Sequence, residues 1–144
     1  MTQLTATVKA PPMTVHHDHT PPAPRPTPVE DRLRAWATED RDRIAVSMLI
    51  QEHALLARPD VQRVLVARTG DSVRADWTHL SLRLAELELD DAEYAFLEVV
   101  LAIALGRQVL LDRVLPLGEH RLAVVLRALA AWAGVDTIAV GTRS

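Results

Sequence analysis

Proline placement constrains this chain more than any other feature. Seven of the nine prolines, Pro11, Pro12, Pro21, Pro22, Pro24, Pro26 and Pro28, fall within the first 28 of 144 residues. A segment that dense in proline favours extended polyproline II and cannot build a packed core. Residues 1–26 are therefore expected to form a disordered tail and 27–144 one folded domain, which is an ordinary single-domain size. Pro21-Pro22-Ala23-Pro24 fits a PxxP docking pattern, although tails of this composition are more often spacers.

Beyond Pro28 the breakers are sparse, so long helices are allowed. Thr27-Pro28-Val29-Glu30 reads as a capping box with proline at the first helical position. From there to Ala57 no proline or glycine intervenes, which predicts one long helix or two divided near Thr38. Ile44, Met48 and Leu55, flanked by Ala45, Leu49 and Leu56, form its apolar face. Arg58-Pro59 ends it. A short helix is expected over Pro59–Arg68, stopping at Gly70, and another from Asp71 or Ser72. Val73, Trp77, Leu80, Leu84 and Leu87 recur at 4-3-4-3 spacing, a seam that would lie along another helix. Asp90-Asp91-Ala92-Glu93 is a second capping box, with Leu89 and Tyr94 placed as its hydrophobic staple. The helix behind it is apolar nearly all round, as the central element of a bundle would be, and Gly106 ends it. A short helix to Leu115, a last helix from Gly118 to Ala133 and a strand at Val135–Val140 complete the reading. The fold class is therefore all-α or nearly so, a compact bundle of five to seven helices with a possible minimal β wing.

Composition narrows the function. Apolar residues make up 49% of the chain but aromatic residues only 3%, so the core must be aliphatic. No cysteine is present, which excludes disulfides, zinc ribbons and thiol catalysis. Residues 1–28 contain no apolar signal region, and the longest apolar run, Val99–Leu105, falls far short of the ~20 residues a membrane span needs. A cytoplasmic protein without membrane contact is expected. Net charge is −3; residues 29–144, with fourteen arginines against eighteen acids, carry −4. A mildly acidic domain is poor material for gripping nucleic acid over its whole surface.

Candidate chemistry is thin. His16, His17 and His19 cluster with Asp18 in the tail, and His53, His79 and His120 fall in predicted helices, but no H-E-x-x-H occurs. No metal site and no cofactor are expected. Glu86, Glu88, Asp90, Asp91 and Glu93 surround a helix N-terminus, where the dipole stabilises negative charge. G-x-S-x-G, Ser-x-x-Lys and a phosphate-cradling glycine loop are all missing, so the chain is not expected to be an enzyme and no small-molecule substrate is inferred.

Residues 89–140, LDDAEYAFLEVVLAIALGRQVLLDRVLPLGEHRLAVVLRALAAWAGVDTIAV, run capped helix, short helix, turn, longer helix, strand. In that order of elements they resemble the winged helix-turn-helix family of bacterial regulators. The resemblance implies that Gly118–Ala133 is a recognition helix, that Val135–Val140 is the first wing strand with Arg107–Val109 as its partner, and that Arg121 and Arg127 contact DNA. Arg107, Arg113, Arg143 and His120 would flank them. Residues 106–144 hold five arginines and three acids, a local +2.

Two function classes follow. The first is a non-enzymatic binding or regulatory module acting through protein–protein contact, with another protein or a second copy of itself as partner. If Leu122, Val125, Leu126, Leu129 and Trp132 point inward, Val124, Arg127, Ala128 and Ala131 form an outward docking face; the Trp77 seam is a further candidate. The alternative is a winged-helix-type DNA-binding transcriptional regulator using Arg107, Arg113, His120, Arg121 and Arg127.

Overall fold

A computed structural model describes residues 27–141. The tail over 1–26, its PxxP stretch, its three histidines and Arg143 lie outside the described residues. Within them the chain is mostly helical with one small antiparallel sheet. The order is α1 (Val29–Trp36), α2 (Asp40–Glu52), α3 (Pro59–Leu65), β1 (Val66–Thr69), β2 (Ser72–Ala75), α4 (Trp77–Arg83), α5 (Asp91–Leu105) and α6 (Gly118–Trp132). Short 3-10 turns follow α4 (Leu84–Glu86) and α5 (Leu111–Val114).

Residues 28–57 contain two helices, with the break at Ala37–Glu39 around the expected Thr38, and the second stops at Glu52 and not at Ala57, so Leu55 and Leu56 are buried from the turn that follows it. The first capping box does not form. Pro28 itself is the N-cap of α1, and no side chain bonds the first turn. The second box forms completely: the Glu93 amide donates to Asp90 Oδ1 at 2.7 Å, and the Asp90 amide donates to Glu93 Oε1 at 3.0 Å. Arg58 ties this cap to α3, reaching Glu93 Oε2 at 3.2 Å, the Glu88 carbonyl at 2.9 Å and Asp60 at 2.7 Å.

The sheet is not where the resemblance implied. Val135–Val140 and Arg107–Val109 are irregular, and the two strands instead lie between α3 and α4. They pair from Val66↔Ala75 to Thr69↔Ser72 around a two-residue Gly70-Asp71 loop. Gly70 takes φ +60°, the left-handed value that tight hairpin loops require. The expected helix Pro59–Arg68 thus stops at Leu65, and Val73 belongs to a strand. Helix α4 begins later, at Trp77, where Asp76 Oδ1 accepts the His79 amide at 3.0 Å.

The core is aliphatic apart from Phe96 and Trp77. Its centre is α5, which buries Ala95, Phe96, Leu97, Val99, Val100, Leu101, Ala102 and Ile103. Helix α2 lies between α5 and α6 and buries residues toward both. Val73, Trp77, Leu80 and Leu84 are all buried, and the Trp77 indole N–H donates to Asp42 Oδ1 at 2.8 Å. That seam is core and cannot be a docking surface.

A candidate docking face on the last helix

Helix α6 faces the opposite way from the sequence reading. Val124 and Ala128, expected outside, are 0% and 5% exposed. Leu126, Leu129 and Trp132, expected inside, are 43%, 46% and 44% exposed. Only Val125 and, in part, Leu122 are covered as expected. The helix therefore buries its small residues and leaves its large ones in water.

A buried ion pair accounts for this orientation. Glu52, at the C-terminal end of α2, is 2% exposed. Its Oε1 accepts Arg121 Nη2–H at 3.2 Å, and its Oε2 accepts the Leu55 amide at 2.9 Å. A buried carboxylate stripped of its cation costs about 3–5 kcal/mol. Arg121, Val124 and Ala128 stand at i, i+3 and i+7 and so share a helix face. Turning Arg121 toward Glu52 brings Val124 and Ala128 with it. Their small size lets α6 lie close on α2.

Arg127 is turned to the same side. Its Nε–H donates to the Val140 carbonyl at 2.9 Å, and its Nη1–H donates to Gln51 Oε1 at 2.9 Å. Ala128 and Ala131 line a notch of about 130 Å³ against Ile44 and Met48. Of the docking residues read from the sequence, Val124 and Ala128 are out of a partner's reach, Arg127 is half-buried, and Ala131 is exposed.

The five residues proposed for DNA do not meet on one surface. Arg121 and Arg127 engage α2. Arg107 and Arg113 line a separate cleft of about 330 Å³ with Ser81, Tyr94, Glu98 and Leu101. Arg107 Nη1–H donates to Ser81 Oγ at 2.6 Å, and Arg113 pairs with Glu98 at 2.6 Å. His120 is exposed, its ring centroid 6.1 Å from that of His53. His53 ends α2 with a positive φ of 60°, the one such non-glycine among the described residues. His79 Nδ1 lies 2.7 Å from the Val64 carbonyl, so it serves the α3–α4 contact.

What the sequence reading missed is an apolar surface. Of the ten large hydrophobic side chains exposed among the described residues, all but Leu82 fall between Val109 and Ile138. One group rides on α6 and just beyond it: Leu126, Leu129, Trp132, Val135 and Ile138. Another lies on the segment before α6: Leu110, Leu111 and Leu115, 68%, 86% and 80% exposed. Monomers rarely leave a contiguous apolar patch of more than a few hundred Å² without a use for it. The end of α6 is well made, with the Val135 amide bonded to the Ala130 carbonyl at 2.9 Å and Gly134 to Ala131 at 3.1 Å. Those two bonds, with Gly134 at φ +72°, are a Schellman C-cap, so the exposed stripe sits on a closed helix and not on a frayed end.

No protein-family model matches the chain, and no curated protein and no solved structure matches it.

Proposed function

We infer that this chain is a non-enzymatic docking module that binds protein through the outer face of α6. One observation carries the reading: α6 is mounted with its larger apolar side chains outward. Leu122, Leu126, Leu129 and Ala133 follow at spacings of four, three and four, the pattern of a helix seam, and Trp132 flanks them. Aromatic anchors beside aliphatic residues dominate binding energy at protein interfaces, whereas charged side chains are depleted from interface cores.

Site-specific photo-crosslinking tests this. A photoreactive phenylalanine analogue replaces Leu129 in the full chain expressed in its own cells, with Arg68 on the hairpin as control. A discrete protein adduct at Leu129 and none at Arg68 is the expected result. Absence of any protein adduct at Leu126 and at Leu129 would overturn the docking function.

A DNA-binding regulator of winged-helix type is the second reading. What favours it is the exposure of Arg107 and Arg113 on the segment leading into α6. Salt-dependent binding of the full chain to a mixed-sequence duplex, lost in Arg107→Ala/Arg113→Ala, is its expected signature. No binding to the duplex at low salt removes it.

A further inference from the structure

From Leu122 to Ala133 the outer face of α6 carries no charge; the exposed Glu119, one turn before Leu122, marks its N-terminal end. Between Leu122 and Ala133 the sole charged side chain is Arg127, and it is turned inward, donating to Gln51 and to the Val140 carbonyl. A partner that recognised this helix through acidic or basic groups would find nothing to pair with there. Over that stretch the helix meets its own copy with no like-charge contact, which ordinarily costs several kcal/mol where it occurs. A two-fold axis presents the same patch twice, so an interface of this kind must be self-complementary. A leucine seam at four-three-four spacing meets that requirement, because the knobs of one helix fit the holes of an identical one. Ala130 and Ala133, beside the leucines, allow close approach.

The area is also right for a pair. An aromatic side chain buries about 150–250 Å², and a large aliphatic one lies toward the lower end of that range. At the exposures of Leu126, Leu129, Trp132, Val135 and Ile138, this face offers roughly 400 Å² per copy. Two such faces with their rims approach the ~1,200 Å² at the lower end of specific interfaces. That scale fits a reversible dimer better than an obligate one.

We propose that the partner of the α6 face is a second copy of this chain, held as a two-fold helix pair with a dissociation constant in the micromolar range. The proposal rests on the docking reading and names its occupant.

Sedimentation velocity of the full chain over about 1–100 µM tests it. The expected result is a weight-average mass rising from 15.9 kDa toward twice that value. Leu126→Asp/Leu129→Asp is expected to stay monomeric while still folding, with a cooperative melt and a helical circular-dichroism spectrum. A wild-type chain monomeric at the top concentration overturns the proposal, and so does a folded double variant that dimerises equally well. Because the chain has no cysteine, a second readout does not depend on how the aspartates are tolerated. Under mild oxidation, Leu126→Cys or Leu129→Cys should form a disulfide-linked dimer at least tenfold faster than Arg68→Cys; equal rates overturn the pairing. The crosslinking experiment separates the two levels. An adduct at Leu129 with a different protein, or with residues 1–26 of the same chain, overturns self-pairing; the former leaves the docking function standing. No adduct at all overturns both.

Discussion

Helices α5 and α6 are both fifteen residues long and both rich in aliphatic side chains, yet they occupy opposite situations. Helix α5 buries residues on every side and is held at its N-terminus by a complete capping box and by Arg58. Helix α6 is covered chiefly by α2, with a smaller contact to α5, and begins without a side-chain cap. Both carry apolar residues around most of their circumference, α5 the more densely, so hydrophobicity alone does not account for the difference. What separates them is the number of neighbours the chain supplies.

The balance of terms on α6 is close. Securing the Glu52–Arg121 pair avoids a penalty of about 3–5 kcal/mol. Leaving Leu126, Leu129 and Trp132 nearly half exposed forgoes roughly 2–4 kcal/mol, at about 1.5–3 kcal/mol for each fully buried side chain. The ion pair thus sets the facing of α6, and the apolar free energy left unrealised is what a partner would collect.

Four measurements break or sharpen this contrast. The largest effect is expected on α5, where Phe96→Ala should destabilise by about 4 kcal/mol in urea unfolding. Under the same conditions and below the dimer range, the half-covered Leu129 on α6 should lose only about 1 kcal/mol on replacement by Ala. Similar losses at the two positions would end the distinction. Next, Arg121→Ala should cost about 3 kcal/mol by stranding the Glu52 carboxylate, and Glu52→Leu/Arg121→Met should recover most of that loss. A mild effect of Arg121→Ala would mean that the pair does not orient α6.

Smaller still, His53→Gly should stabilise by about 1 kcal/mol, because glycine takes a positive φ without the clash a Cβ brings. Thermal melts check it; a loss of stability would show that the histidine ring contributes something the glycine cannot. The smallest effect is acid sensitivity at the α3–α5 tie. The Arg58 guanidinium, hydrogen-bonded to Asp60, holds that carboxyl below its ordinary value of 3.8. A depressed carboxyl contributes stability above the unfolded value, and the contribution is lost as pH falls through the folded one. Melting temperature should therefore drop on acidification below about pH 4, and Asp60→Asn should flatten that drop. An unchanged acid profile in the variant would remove Asp60 from the account.

Part of the fold was legible because local chemistry decides it. Asp90 and Glu93 cap α5 since both residues lie within one turn, and no distant contact is needed. Gly106 and Gly134 end helices because their positive φ values, +68° and +72°, are open to glycine. The hairpin was misread although its signal is present: Gly70-Asp71 stands between short runs that carry Val66 and Thr69 on one side and Val73 on the other, a two-residue loop pattern. Val73 fits both a strand and a helical seam with Trp77, and spacing alone does not choose between them.

The sequence by itself determined that this is a chiefly helical domain, where α5 begins and ends, and that α5 is central. Capping, proline geometry and an all-round apolar pattern act over a few residues, so they are written locally. The facing of α6 was decided only by tertiary structure. Apolar residues surround that helix, so periodicity offers no preferred side, and the choice fell to Glu52, 69 residues earlier in the chain, whose burial demands Arg121. A carboxylate's burial is a property of the assembled core, and no window of sequence contains it.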